Sequence, residues 1–184
     1  MRKVVSGLFI SLDGVTESPD QWQFDFDEEM GEALTTTLET SDAVLLGRVT
    51  YTEWAGYWPT VTGGDDAGFA SWINNTPKHV VSTTLDNVDE WANSTLIKGD
   101  LANALTKLKS APGKHIAVAG SPGLVRSLID QDLLDELVLL IHPVIAGEGR
   151  KKLFADNAGL KKLELGSAKP TSSGVVIASY RLVA

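Results

Sequence analysis

Short apolar runs alternate along the chain with segments in which apolar residues recur every three or four positions. The runs have the composition of strands that are covered on both faces, and they occupy residues 3–12, 43–46, 78–82, 96–98, 115–119 and 137–145. The helical spacing occurs in residues 27–40, 48–57, 65–75, 101–108 and 124–129. This alternation predicts parallel strands joined by helical crossovers.

The end of the chain follows a different pattern. Residues 160–169 and 174–183 alternate apolar and polar positions around a turn from Pro170 to Gly174, which predicts an antiparallel hairpin. We therefore expect one domain over residues 1–184, an α/β fold with three layers (α/β/α), a mostly parallel mixed sheet and a C-terminal hairpin. A chain of 184 residues is long enough to bury one core of this kind.

The composition of the chain excludes several kinds of functional site. The chain has no cysteine, which excludes disulfides, thiolate metal sites and cysteine nucleophiles. Its net charge of −8 argues against nucleic acid as a partner. No apolar run approaches the ~20 residues of a membrane helix, so we expect a cytoplasmic protein that does not enter membranes. The three histidines fall in predicted strands without ligand spacing, and we predict no metal site.

Turn residues and hydroxyls follow four of the predicted strands, at the ends where open α/β sheets bind ligands. Asp13-Gly14 follows the first strand, Gly47-Arg48 the second, Ser82-Thr83 the third, and a glycine turn at 120–123 the fifth. Taken singly, each is also typical of an ordinary turn, and Arg48 could pair with a surface acid. Together, three sites of a type that suits phosphate predict a ligand with several phosphates along its length, such as a dinucleotide.

Four motifs in this order resemble the dihydrofolate reductase superfamily. They are SLDG at 11–14, LLGRVTYTEW at 45–54, KHVVSTTL at 78–85, and the long segment 119–154 that begins AGSPGLV and contains HPVIAGEGR. Within the superfamily they resemble the branch that includes the reductase domain of the bacterial bifunctional riboflavin-biosynthesis deaminase-reductase. The resemblance covers almost the whole chain, and the 119–154 segment is its most specific part.

The resemblance implies an NADPH-dependent reductase that transfers a hydride to a small heterocyclic (pteridine- or pyrimidine-like) or carbonyl substrate. It implies that Arg48 or the Ser82-Thr83 pair recognises the 2′-phosphate and that the glycine turn holds the pyrophosphate. Asp13 is the candidate catalytic residue near the nicotinamide, and Trp22 and Trp54 are, with Asp13, the candidate substrate contacts. The candidate cofactor contacts are Gly47, Arg48, Thr50, Ser82, Thr83, Gly120, Ser121, Gly123, Leu124 and Val125. A homodimer is implied as well, with residues 137–141 at its two-fold interface.

Departures from the family pattern bear on the substrate. Riboflavin-pathway reductases carry a lysine at the position of Gly7 and tend to place an acid at that of Val118, which argues against a ribose-phosphate pyrimidine. The carboxylate by which dihydrofolate reductases anchor the pterin falls at Gly31, and Pro122 removes one N–H donor from the glycine turn. A nucleotide-binding or sensor protein without turnover is therefore the alternative function.

Overall fold

One eight-stranded sheet forms the centre of the fold in the computed structural model, which describes residues 1–154 and 159–183. The strands are β1 (Val4–Ser11), β2 (Ser41–Gly47), β3 (Lys78–Val81), β4 (Ser94–Ile97), β5 (His115–Ala119), β6 (Glu136–His142), β7 (Leu163–Pro170) and β8 (Val176–Leu182). Their spatial order is β4-β3-β2-β5-β1-β6-β8-β7. The first six run parallel, and β8 and β7 form the antiparallel hairpin that the sequence predicts.

Five helices connect the strands. They are α1 (Glu28–Thr40), α2 (Arg48–Tyr57), α3 (Ala67–Asn75), α4 (Leu101–Ser110) and α5 (Pro122–Asp130), with short 3-10 turns at Pro19–Gln21 and Trp58–Thr60. Asp27 and Asp100 start α1 and α4 by accepting the third backbone N–H of each helix with their side chains. No helix within the described part of the chain has the length and apolar character needed to cross a bilayer.

The helices form a layer on each face of the sheet. α4 and α5 bury Leu105 and Leu128 against one face. On the other face, α1 buries Met30 against Leu140, while α2 and α3 bury Tyr51 and Ile73 against β2 and β3. Three layers around a mostly parallel sheet confirm the fold class expected from the sequence.

The structure moves several predicted boundaries. β2 begins at Ser41, α3 begins at Ala67, and the strand predicted over 137–145 ends at His142, where Pro143 removes a ladder donor. The strand predicted at the dimer interface is β6, which lies between β1 and β8 with Leu137 and Leu140 buried inside the chain. The homodimer and this contact stay predictions.

Candidate functional site

The predicted site residues converge on one edge of the sheet. Because β1, β2, β3 and β5 are parallel, the segments that follow them all emerge at the same, carboxyl edge. The order β3-β2-β5-β1 sets Ser82, Arg48, Gly120 and Asp13 along this edge in that sequence.

The turns after β2 and β5 are locked together. Ser121 Oγ accepts from the Gly47 N–H at 2.7 Å and donates to Thr50 Oγ1 at 2.8 Å, and the Ser121 N–H donates to the same Thr50 oxygen at 3.1 Å. Both glycines are needed for this approach. A Cβ at Gly47 would lie 2.9 Å from Ser121 Oγ, and Gly120 has φ of 55° and would bring a Cβ within 3.2 Å of Thr50 Cγ2.

This lock changes the predicted role of the glycine turn. The Ser121 N–H is already engaged by Thr50, so it is not available to a pyrophosphate, and Pro122 has no N–H. Donors at the start of α5 are left to Gly123 and Leu124, whose first-turn N–H groups have no intrahelical partner. The prediction that Val125 lines the cleft is wrong, because its side chain is wholly buried in the core under α5.

Arg48 is a cation at this edge that has no ion pair among the described residues. It is exposed at the first position of α2, and it makes no ion pair with any acid among residues 1–154 and 159–183. It lines a cavity of about 330 Å³ together with the hydroxyl-bearing residues Ser82, Thr83 and Thr84. The alternative that Arg48 merely pairs with a surface acid is therefore wrong for the described chain, and the guanidinium beside these residues has the chemistry to bind an anion.

Asp13 is held as a structural acceptor. Its carboxylate accepts from Ser11 Oγ at 2.6 Å and from the N–H groups of Ala146 and Gly147 at 2.9 and 3.0 Å. The Ser11 hydrogen bond, followed by those of the two N–H groups, lowers the pKa of Asp13 to about 2. Asp13 is therefore ionised at neutral pH, which suits fixing the loop after β6 at the rim and does not suit donating a proton.

The sheet is open to solvent at Gly7. This residue lies in β1, between β5 and β6, yet it is exposed, and a Cβ there would meet no atom within 4 Å. Its partners in register are Ala119, which packs under the α2–α3 layer, and Val138, which packs under α1. Gly7 thus forms the floor of an opening between α1 and α2, which we call the cleft. The lone glycine inside a predicted strand was a sequence signal for this opening.

The carboxylate of Asp27, at the start of α1, also stabilises the fold. Asp27 Oδ2 accepts from the Ser173 N–H and hydroxyl at 3.1 and 2.6 Å, while Oδ1 caps α1. Burial alone would raise the pKa of Asp27, but these hydrogen bonds outweigh it and hold the pKa well below its usual range. Gly31 lies on a larger, shallow depression of about 670 Å³ that this one segment alone lines, from Phe26 to Thr36. We place the site at the turns and the cleft, where several elements converge.

The two predicted tryptophans have different environments. Trp54 is half-buried on α2 in an edge-to-face cluster with Trp58 and Phe69. Trp22 is only 3% exposed, its indole N–H donates to the Glu17 carbonyl, and its ring packs edge-on against His142. Trp22 therefore offers no surface to a ligand, and Trp54 stays a candidate wall of the cleft.

His142 is one of the three strand histidines for which the sequence predicts no ligand role. It ends β6 beside Ser11, is 2% exposed, and packs against the rings of Phe9 and Trp22. Its Nε2 has no hydrogen-bond partner in the described chain, and burial lowers its pKa. Among the described residues no group of histidine and carboxylate side chains has the arrangement of a metal site.

Known proteins are similar to this chain in sequence and in fold. The chain is 32% identical over 183 residues to the uncharacterized protein YyaP of Bacillus subtilis, covering 97% of this chain and 94% of the relative. Its fold is similar to a putative riboflavin biosynthesis protein from Shewanella sp. PV-4, with a TM-score of 0.79, 17% identity and 99% of both chains covered.

The fold is also similar to dihydrofolate reductase from Enterococcus faecalis complexed with NADP(H) and RAB-propyl, with a TM-score of 0.64 and 10% identity over 99% of this chain and 97% of that one. This likeness confirms the dihydrofolate-reductase-like fold. The family model described as RibD C-terminal domain matches residues 2–177. The chain therefore belongs to the RibD C-terminal domain family.

Proposed function

We propose that this chain is an NADPH-dependent reductase of a small heterocyclic or carbonyl substrate. The observation that supports it most is the exposed, unpaired Arg48 in one cavity with Ser82, Thr83 and Thr84, beside the α2 and α5 N-termini and the cleft over Gly7. No acid of the described chain pairs with this guanidinium, so it remains available for a charge-assisted contact with a phosphate.

The edge fits the phosphates of a dinucleotide in two places. Arg48 and the three hydroxyls suit the 2′-phosphate, since a guanidinium can bind it bidentately. The free N–H groups of Gly123 and Leu124 at the start of α5 suit the pyrophosphate. The lock between Thr50 and Ser121 fixes these two sites relative to each other, so they are pre-organised for a single ligand.

The cleft fits the reacting rings. When bound, the cofactor supplies the hydride. The sheet is open above Gly7, which suits a flat ring, and Asp13 holds the rim loop at Ala146 and Gly147 in place. The proton that accompanies the hydride comes from water, because the Asp13 carboxyl is ionised. The substrate classes follow from the relatives, which include a putative riboflavin biosynthesis protein and a dihydrofolate reductase.

Arg48→Ala tests the cofactor site. Loss of a charge-assisted contact to the 2′-phosphate is expected to weaken NADPH binding by about 10- to 150-fold, the equivalent of roughly 1.5–3 kcal/mol, and to leave NADH binding unchanged. Isothermal titration of both cofactors measures this. Arg181→Ala is the matched control, because Arg181 is an exposed arginine at the opposite end of the sheet, near Glu164. Equal losses for NADPH and NADH would assign the 2′-phosphate to Ser82 and Thr83 instead, and no NADPH binding at millimolar concentration would refute the proposal.

One observation favours the alternative of a nucleotide-binding protein without turnover. Two carboxylates of this edge, Asp13 and Asp27, are engaged in structural hydrogen bonds. The two functions differ in one measurement. A binding protein would bind NADPH without oxidising it in the presence of pteridines, pyrimidines or quinones, whereas a reductase would show substrate-dependent loss of NADPH absorbance.

A further inference from the structure

We infer that the cleft accepts an uncharged, planar, apolar ring, such as a quinone, that is bound by shape and carries no phosphate or carboxylate anchor. This inference rests on the proposed function for its reaction, and it concerns the acceptor half of the same site. It is supported by the apolar floor, by the exposed apolar residues of the carboxyl edge and by the charged groups around them.

The floor of the cleft is apolar. Gly7 is its open centre, and its neighbours in register and along the strand are Ala119, Val138 and Phe9, all half-buried. The carboxylate of β6 belongs to Glu136, which accepts from Ser179 Oγ at 2.7 Å and lies 3.9 Å from Lys3 Nζ. An ionic group resting on this floor would lose part of its water and gain no partner, so the floor favours neutral rings.

The carboxyl edge around the cleft is unusually apolar as well. Leu12 is 65% exposed and Ile145 is 76% exposed, and the two lie on adjacent segments joined by the Leu12 N–H to the Val144 carbonyl. Val49 follows Arg48 at the start of α2, and Phe24 and Phe26 precede α1. Exposed apolar side chains concentrated at one edge mark a surface that binds apolar matter.

Several charged groups of the rim are already engaged. Asp13, Asp27 and Glu29 bind backbone N–H groups and hydroxyls of the rim loops, and Glu29 holds Ser172. Arg150 donates to the Ala146 carbonyl and to Gln21 Oε1. Arg150 is engaged and Arg48 lies on the β2–β3 side with the hydroxyls, so neither arginine is a counter-charge for an anionic ring on this floor.

The chemistry of a quinone fits this site. Its reduction to the hydroquinone takes one hydride, which NADPH supplies as it becomes NADP⁺, and one proton, which water supplies to the second oxygen. No acid side chain is required, in agreement with the ionised state of Asp13. The chain's contribution is to position the ring flat on the floor and to exclude water from it.

The test compares a neutral ring with its charged analogue in the absence of cofactor. Isothermal titration of 2-methyl-1,4-naphthoquinone and of 1,4-naphthoquinone-2-sulfonate is carried out with the wild type, Gly7→Ala, Gly7→Leu and Gly63→Leu. Gly63 is the matched control, because it is exposed and a Cβ there meets no atom within 4 Å, as at Gly7. Circular dichroism checks the fold of each variant, and Gly7→Ala is the smaller change should Gly7→Leu fail to fold.

We expect the wild type to bind the neutral quinone at least ten times more tightly than the sulfonate. Gly7→Leu is expected to weaken the neutral quinone at least tenfold, Gly7→Ala by a smaller factor, and Gly63→Leu by less than twofold. Equal binding of the two rings, no binding of the neutral quinone, or Gly7 variants within twofold of the wild type would overturn the inference. If the protein binds the quinone but not NADPH, the proposed function is refuted and the ring site is supported. If it binds NADPH but not the quinone, the ring site is refuted and the proposed function is supported.

Discussion

Thr50→Val perturbs the lock between the two phosphate-type turns with little change in shape. The substitution removes the oxygen that accepts from the Ser121 N–H at 3.1 Å and from Ser121 Oγ at 2.8 Å. Both residues are buried, so the Ser121 N–H loses its partner where water does not replace it. An orphaned buried donor costs about 1–3 kcal/mol, and with the second lost hydrogen bond we expect the free energy of unfolding to fall by roughly 2–3 kcal/mol.

Urea unfolding, followed by tryptophan fluorescence, measures this loss. With a slope of about 2 kcal/mol/M, the midpoint is expected to fall by roughly 1–1.5 M at unchanged slope. Thr50→Ser restores the oxygen and removes one methyl group near Gly120, so it should cost only about 1 kcal/mol. Thr52→Val is the control on the same helix, because the Thr52 hydroxyl is exposed and bonds only to the Arg48 carbonyl.

The order of the urea midpoints of these variants tests whether the Thr50 hydrogen bonds stabilise the fold. A midpoint for Thr50→Val that equals that of Thr52→Val would show that the lock contributes nothing to stability. A loss for Thr50→Ser as large as that for Thr50→Val would assign the effect to methyl packing against Gly120 instead of to the hydrogen bonds.

The remaining predictions concern two buried titratable groups. Burial lowers the pKa of Lys78 from 10.5 to about 8, although its ammonium donates to the Ile73 and Thr76 carbonyls. Between these pH values the unfolded chain binds more protons than the folded chain, so the free energy of unfolding should rise from pH 8 to pH 10. Lys78→Met should flatten this rise. Parallel pH profiles of the wild type and the variant would contradict this expectation. Burial also lowers the pKa of His142 below 6.5, so the free energy of unfolding should fall as the pH drops from 7 to 5. His142→Phe should remove part of this fall. If urea titrations between pH 7 and 5 give the variant the same pH dependence of unfolding free energy as the wild type, this expectation is wrong.

Local sequence patterns were enough to predict the sheet and the edge that bears the site. β5 and α2 have the predicted bounds, because continuous apolar runs and helical spacing are read from neighbouring residues. Parallel strands then bring Arg48, Ser82 and Gly120 to one edge without further information. The position of Arg48 beside the hydroxyls is therefore a consequence of topology that the sequence could supply.

The partners of the polar groups could not be predicted in the same way. Asp13 has the sequence context of a catalytic carboxylate, yet residues 133 and 134 positions later along the chain engage it. Ser121 is likewise engaged by Thr50, 71 residues away. A motif states which donors and acceptors are present, but only tertiary contacts decide which of them are left for a ligand.

In the ring site that we infer, Gly7 is the position that sets the charge of the substrate. A lysine there, as in the riboflavin-pathway reductases that the sequence resembles, would extend into open space above Ala119 and Val138. Neither of these apolar neighbours could pair with the ammonium, so its partner would have to be an anionic group of the substrate. Glycine removes both the cation and the volume. The same floor then offers room and apolar contact in place of a counter-charge, and selectivity passes from electrostatic attraction to the shape of the ring.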